Sequence, residues 1–209
     1  MPRAKTQTSS IPIPWEEIDL YRFFAFLFGA PTAERFAWYG RPDLRAALTG
    51  LWEELRCEGE IPEIGRYQDY KEYESTYISI FDVGLPEPPV ALLESAHAKS
   101  RPAQQTALEN VSFYEVLELK PNLSRYAPDH LVTQLEFLSV VRFAREKTPQ
   151  TDNRESLARL ERDFLERHLL NWLPAAQKKL DREQPPVFPV LLRLLLAFLQ
   201  QQSAQLVHT

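Results

Sequence analysis

The sequence is poor in the residues that disulfide scaffolds and turn-rich folds require. It contains one cysteine, Cys57, which excludes an internal disulfide and fits a reducing compartment. Only six glycines occur in 209 residues. Because short strand pairs need turn residues with a permissive backbone, this scarcity favours helices over a sandwich or barrel.

Motifs for metal and nucleotide binding are also missing. Cys57, His97, His130 and His168 stand singly, without a pair at the spacing of about two to four residues that zinc sites use. No Gly-Lys-Ser/Thr sequence occurs that would mark a phosphate-binding loop. We therefore predict no cofactor and no metal, and we expect His168, which lies on an apolar stripe, to be a hydrogen-bonded core residue.

Basic charge and long hydrophobic runs are scarce as well. The net charge of −5 argues against binding nucleic acid, which requires a basic face. Arg193 interrupts the apolar run from Phe188 to Leu199, which is shorter than the roughly 20 residues that a membrane span needs. Residues 1–12 are polar at the start, without a secretion signal, and are expected to form a disordered tail. These features predict a cytoplasmic protein without membrane insertion.

Apolar residues recur at helical spacing through most of the chain, and strand patterns are almost absent. Helices are predicted at about 18–28, 32–40, 42–55, 67–81, 105–119, 128–147, 154–173 and 187–206. Thr32 is expected to cap the second helix, and Pro174 to bend or end the seventh. The last helix is apolar on nearly every side, which is typical of a bundle centre. We predict a single-domain, all-α helical bundle over residues 13–209.

One long connection, at about 82–102, breaks the helical pattern. It contains four prolines and Gly84, which predicts a partly extended segment with one short helix at about 92–99. Long loops in compact domains are often functional. We expect a monomer. If the protein forms a domain-swapped dimer, this connection or the polar break at 148–153 would serve as its hinge.

Asp129 and His130 could form a catalytic dyad, with Ser95 as the nucleophile of a hydrolase. Adjacent residues of a helix do not face each other, so Asp129 is not expected to orient His130. Two further interpretations stay open. Asp129 caps the helix amides while His130 packs, or the pair caps the helix and also contacts a bound polypeptide. Similarly, Tyr77, Ile80 and Phe81 at helical spacing indicate either core or a binding surface.

Three ordered blocks of sequence resemble the TorD/DmsD/NarJ family of cytoplasmic chaperones for molybdenum-cofactor enzymes. The first block is Tyr77, Ile80, Phe81, Gly84, Pro88, Pro89, Glu94 and Ser95. The second is Pro128-Asp-His-Leu131 followed by Gln134-Leu-Glu-Phe-Leu138. The third is Phe164-Leu-Glu-Arg-His-Leu169 with Trp172 and Pro174. The segment Asp82-Val-Gly-Leu-Pro86 most resembles the corresponding sequence in chaperones of nitrate-reductase-like enzymes.

The resemblance implies a TorD-like fold and a role that is not catalytic. The implied partner is the apo catalytic subunit of a molybdopterin-dependent oxidoreductase, bound through its mature part or through a twin-arginine signal peptide. Such a chaperone assists cofactor insertion and delays export or assembly until the enzyme is mature. The residues that the resemblance assigns to client binding are Tyr77, Ile80, Phe81, Gly84, Pro88, Pro89, Leu93, Glu94, Ser95, Asp129 and His130.

A twin-arginine leader combines a basic pair with a weakly hydrophobic stretch, so its receptor needs an apolar trough beside carboxylates. The trough is expected from Tyr77, Phe81, Val90 and Leu93, and the acids from Glu74, Asp82, Glu87, Glu94 and Asp129. A different class of protein, a permanent helical subunit of an oligomeric complex, is the main alternative to a chaperone.

Overall fold

A computed structural model describes residues 19–97, 101–122 and 124–206. Within these ranges the chain is all-α, as predicted, and two short segments pair only through an isolated bridge. The α-helices are α1 Leu20–Leu27, α2 Ala33–Tyr39, α3 Leu44–Glu54, α4 Tyr70–Tyr77, α5 Ala103–Glu115, α6 Leu131–Lys147, α7 Thr151–Phe164, α8 Leu170–Glu183 and α9 Phe188–Leu206. The tail expected at 1–12 lies outside the described residues.

Local sequence explains where several helices begin. Asp19, Thr32 and Asp69 precede α1, α2 and α4, and each side chain accepts a hydrogen bond from a backbone N–H of the first turn. These bonds satisfy amides that have no partner inside the helix. The cap predicted at Thr32 is therefore confirmed. Gly40 follows the last residue of α2, where the sequence placed the end of that helix.

The last helix, α9, occupies the core, as its all-round apolar sequence predicts. Its buried apolar side chains between the first turn and the middle are Phe188, Val190, Leu191, Leu192, Leu194, Leu195, Phe198 and Leu199. They pack against α7, α8 and the turn that joins those two helices. Within the described ranges no helix combines the length and the apolarity needed to cross a membrane.

The N-terminal end of the described chain is fixed to α6 and α7 by buried polar contacts. Tyr21 on α1 donates a hydrogen bond of 2.8 Å to Glu161 Oε1 on α7, and Asp19 accepts one from Ser139 on α6. Arg145 approaches the other oxygen of Glu161 at 3.4 Å. Burial is the main cause that raises the pKa of the Glu161 carboxyl. These contacts orient α1 across α6.

Two π-helical turns interrupt the α-helical ladder where the sequence predicts continuous helices. Ile78–Asp82 extends α4, and Leu165–Leu169 joins α7 to α8. Pro174 was expected to bend or end the helix. It does not end the helix, since α8 continues past Pro174 to Glu183. We attribute this to the π turn just before Pro174, which has already changed the register of the backbone hydrogen bonds.

Candidate functional site

An exposed loop at residues 83–89 leaves the helical core and returns to the same turn. At its start the Val83 N–H donates to Ile78 O at 2.9 Å, and at its end the Val90 N–H donates to Ile80 O at 2.9 Å. Both acceptors belong to the first π turn. A pair of hydrogen bonds on one turn fixes the two ends of the loop, so its residues project together from the surface.

The tip of this loop presents apolar side chains between acids. Leu85 is fully exposed and Val83 is 62% exposed, whereas large apolar side chains are usually withdrawn from water. Asp82 and Glu87 flank them and are exposed as well. Although the residue is exposed, the surrounding chain removes part of the water around the Asp82 carboxyl, and this desolvation raises its pKa. The loop also contains a cis peptide bond between Leu85 and Pro86.

Gly84 closes the loop on itself. A Cβ atom at this position would lie 2.1 Å from the carbonyl oxygen of Glu87 and 2.6 Å from Cα of Pro88. These neighbours are backbone atoms, which cannot rotate away as a flexible side chain would. The loop therefore requires glycine at position 84 because of close backbone approach.

Replacing Gly84 by alanine is expected to open the loop and to cost about 1–3 kcal/mol of folding free energy, the usual range for forcing atoms into a packed site. Limited proteolysis should show faster cleavage at 83–89, together with a lower urea midpoint. Gly59→Ala serves as a contrast, since no atom lies within 4 Å of a Cβ there and only its positive φ of 73° adds strain. Unchanged proteolysis at 83–89 in the Gly84 variant would contradict the tight closure.

The chain after the loop is bound to the start of α6. The Leu131 N–H donates to Leu92 O at 2.9 Å, and the Glu94 N–H donates to Asp129 O at 3.0 Å. The carboxylate of Asp129 accepts a further hydrogen bond of 3.0 Å from the Ser95 N–H. The two sequence blocks around positions 94 and 129 thus meet in space, as an isolated bridge between Leu93 and His130.

The roles expected of Asp129 and His130 are exchanged in the structure. Asp129 does not cap α6, because its carboxylate is engaged with Ser95. His130 is the cap, with Nδ1 accepting a hydrogen bond of 3.1 Å from the Val132 N–H. The imidazole stacks on Tyr126, with ring centroids 4.4 Å apart. Burial lowers the pKa of His130 to about 4.

This geometry does not assemble the dyad that a hydrolase would require. The nitrogen of His130 that faces the backbone is the acceptor of the helix cap, so it does not donate to Asp129. The backbone amide of Ser95, rather than its hydroxyl, is the group that contacts Asp129. Among the described residues, no group of three or more His, Cys, Asp or Glu side chains has an arrangement suited to a metal ion.

Glu94, expected among the acids of the client surface, lies instead in the core. Its side chain is buried, and its carboxylate accepts hydrogen bonds from Asn110, Gln134 and His168. The prediction that His168 is a hydrogen-bonded core residue is confirmed. Nothing in the local sequence marks this cluster, because its members come from four separate parts of the chain.

The apolar trough expected from Tyr77, Phe81, Val90 and Leu93 is not open at the surface. The first three side chains are buried, and only Leu93 is half-buried. Tyr77 donates a hydrogen bond of 3.0 Å to Phe28 O, while Phe81 packs edge-on against Phe188. These residues support the loop from below, and the apolar surface that the loop offers consists of Val83 and Leu85.

The remaining residues of the predicted site lie in three places. Ile80 is buried, and its carbonyl anchors the loop. Gly84, Pro88 and Pro89 lie within the loop itself, while Leu93, Ser95, Asp129 and His130 form the adjoining bridge. Sequence reasoning missed Leu85 as a fully exposed apolar side chain of the loop. The available signal was a large apolar side chain between prolines and acids, outside any helical stripe.

A model of the protein family described as nitrate reductase delta subunit matches residues 41–177. A chlorate reductase assembly chaperone protein of Ideonella dechloratans is 33% identical over 134 residues, which cover 62% of this chain and 67% of that protein. A selenate reductase assembly chaperone protein of Thauera selenatis is 32% identical over 135 residues, covering 63% and 68%. The chaperone protein TorD of Vibrio cholerae strain O395 is 27% identical over 200 residues, covering 88% and 89%.

The chain therefore belongs to the nitrate reductase delta subunit family, and its resemblance to the TorD/DmsD/NarJ chaperones is confirmed. The matched region contains all three blocks on which the resemblance was based. It also includes the exposed loop and the bridge to α6.

Proposed function

We propose that this protein is a cytoplasmic chaperone dedicated to one molybdopterin-dependent reductase. It binds the apo catalytic subunit, keeps it open for cofactor insertion and delays its export or assembly until the cofactor is in place. Membership of a family whose named relatives are reductase assembly chaperones supports this proposal. The single structural observation behind it is the loop at 83–89, which holds a fully exposed leucine on a fixed frame.

The chemistry of the loop suits a segment that is both apolar and basic. Val83 and Leu85 offer apolar surface that a client segment would cover, which lowers the free energy by removing both surfaces from water. Asp82 and Glu87 offer carboxylates to guanidinium groups, and charge-assisted hydrogen bonds of this kind fix orientation. An N-terminal leader with an arginine pair followed by a weakly hydrophobic stretch has this composition. We therefore place leader recognition at the loop.

Replacing Leu85 by aspartate is expected to weaken client capture at least about tenfold, since it removes the central apolar contact and puts a charge in its place. The tagged protein would be recovered from its native cytoplasm with molybdenum-cofactor synthesis on and off. Mass spectrometry would then measure the molybdoenzyme catalytic subunit that co-elutes. Enrichment of one such subunit in the cofactor-free condition, lost in the Leu85→Asp variant, is the expected result.

Leu108→Asp provides the matched control, because Leu108 is also a leucine with an exposed side chain, at 57%, and lies on α5. The Leu108 variant should capture the client as the original protein does. Equal recovery of the client with and without its cofactor would overturn the chaperone proposal and favour a permanent subunit. Equal weakening by the two variants would remove the loop from the proposed binding surface. Binding of a synthetic leader peptide, with its two arginines intact or replaced by glutamine, separates leader recognition from binding of the mature part.

A further inference from the structure

A buried carboxylate follows the exposed loop and is held by three different helical elements. Glu94 Oε2 accepts hydrogen bonds from Gln134 Nε2 on α6 at 2.7 Å and from Asn110 Nδ2 on α5 at 3.0 Å. His168 Nδ1, in the second π turn, lies 2.9 Å from Oε2 and 3.1 Å from Oε1. All four side chains are buried.

The cluster extends outward through groups that orient these donors. Trp172 Nε1 donates to Gln134 Oε1 at 3.2 Å, and Gln134 Nε2 also donates to Asn110 Oδ1 at 3.0 Å. The ring of His168 packs against Phe164, with centroids 4.7 Å apart. Because each amide has its oxygen and its nitrogen engaged, the side chains cannot turn without breaking a bond. The carboxylate therefore has one favourable position.

Moving this carboxylate away would be costly. A buried charge is tolerated only when paired and hydrogen-bonded, and removing one partner leaves the others unsatisfied. If Glu94 moved, the donors of His168 and Gln134 would lose their acceptor inside the core. The side-chain cluster thus fixes the backbone at position 94 more strongly than the single backbone bond from Glu94 N–H to Asp129 O does.

The backbone at position 94 in turn limits where the loop can go. The loop begins at the first π turn, where the Val83 N–H donates to Ile78 O. The loop returns at Val90, whose N–H donates to Ile80 O. Four residues later the chain reaches Glu94, whose carboxylate contacts His168 of the second π turn. π turns inside α-helices are frequent at functional sites. Here the first π turn fixes both ends of the loop, and His168 of the second π turn holds the chain at Glu94, four residues after the loop returns.

We infer that the buried Glu94–His168 pair is a positioning device for the exposed loop. It holds the chain after the loop against α5 and α6, so that Val83 and Leu85 are presented in one place. The sequence resemblance had assigned Glu94 to client contact, whereas the apolar stripe had predicted His168 to be a hydrogen-bonded core residue. The link to client binding rests on the proposed function, whereas the positioning role itself concerns only this chain.

Hydrogen exchange of the backbone amides tests this inference without any client. In a His168→Leu variant the amides of Val90, Glu94 and Ser95 are expected to exchange at least about tenfold faster, since the carboxylate loses a charge-assisted partner. The amides of α9 report opening of the whole fold and should change much less. His168→Asn places an amide nitrogen near the position of Nδ1 and should restore part of the protection.

Tyr21→Phe is the control for a general loss of stability, because it removes one buried hydrogen bond between α1 and α7. This variant should leave exchange at 90–95 unchanged relative to α9. Glu94→Gln, which keeps the side-chain shape, provides a second variant in case His168→Leu folds poorly. Uniform acceleration across α9 and 90–95, or no acceleration at 90–95, would overturn the positioning role.

Client capture by the same variants distinguishes this inference from the proposed function. Faster exchange at 90–95 together with weaker capture supports both. Faster exchange with undiminished capture supports the positioning role and overturns the loop as the client surface. Unchanged exchange overturns the positioning role, whatever the capture experiment gives.

Discussion

Replacing Phe188 by alanine is expected to lower the free energy of unfolding by about 3–5 kcal/mol, the range for truncating a buried phenylalanine. The ring of Phe188 is fully buried at the start of α9. Its centroid lies 4.8 Å from that of Phe81 and 6.0 Å from those of Phe28, Tyr39 and Tyr77. These neighbours come from separate segments, so no single movement of the chain can fill the cavity.

Urea denaturation followed by far-ultraviolet circular dichroism would measure this change. Phe188→Leu should cost less, because leucine fills part of the volume. Phe143→Ala removes a ring that is 61% exposed on α6 and should alter the free energy by less than about 0.5 kcal/mol. Similar losses for Phe188→Ala and Phe143→Ala would contradict the placement of the aromatic cluster.

This cluster also connects the core to the surface loop. Tyr77 and Phe81 border the π turn that anchors residues 83–89, and both rings contact Phe188. The aromatic hallmark of the family therefore supports the loop instead of forming its contact surface. Under the proposed function, a client segment would contact Leu85 first, because the aromatic rings of Tyr77 and Phe81 are buried beneath the loop.

Much of the fold could be predicted because its determinants are local. A cap such as Thr32 acts within one turn, and the apolar stripe of α9 is continuous in sequence. These signals depend on neighbouring residues alone. For the same reason the predicted helix ends differ from the observed ones by a few residues at most positions, for example where α6 begins at Leu131.

The candidate site was harder to predict because its determinants are distant in sequence. Glu94 stands in a proline-rich stretch, where a carboxylate normally faces water, and its partners Asn110, Gln134 and His168 lie 16, 40 and 74 residues away. The π turns also leave no mark in the hydrophobic pattern, since they change the hydrogen-bond register by one residue only. Three-dimensional placement alone separates Glu94 from the exposed acids of the loop.

The stability of this protein is expected to fall as the pH decreases from about 6.5 to about 4, with His130 contributing up to about 3 kcal/mol of the loss. Burial lowers the pKa of His130 to about 4 in the folded protein. In the unfolded chain the imidazole returns to its ordinary pKa of about 6.5. Between these values the unfolded chain binds a proton that the folded protein does not, so acid favours unfolding.

His130→Asn isolates this contribution. Asparagine keeps a side-chain oxygen that can cap α6, but it does not titrate. Urea unfolding of both proteins at pH 7 and pH 4 would give the difference in their free energies of unfolding. Between pH 7 and pH 4 the free energy of unfolding of the original protein should fall by up to about 3 kcal/mol more than that of the variant. The comparison isolates His130, since every other titrating group is common to both proteins. A difference that is the same at pH 7 and pH 4 would show that folding does not lower the pKa of His130.

Protonation of His130 is also expected to open the start of α6 locally, in addition to lowering the overall stability. Protonation of Nδ1 would abolish its role as acceptor for the Val132 N–H and thus remove the cap of α6. The same residue pairs with Leu93 in the bridge that follows the exposed loop. Mild acid should therefore increase hydrogen exchange at 92–95 and 130–132 before α9 is affected, whereas His130→Asn should show no such early opening. The helix start that the sequence assigned to Asp129 is capped in the structure by its neighbour, His130.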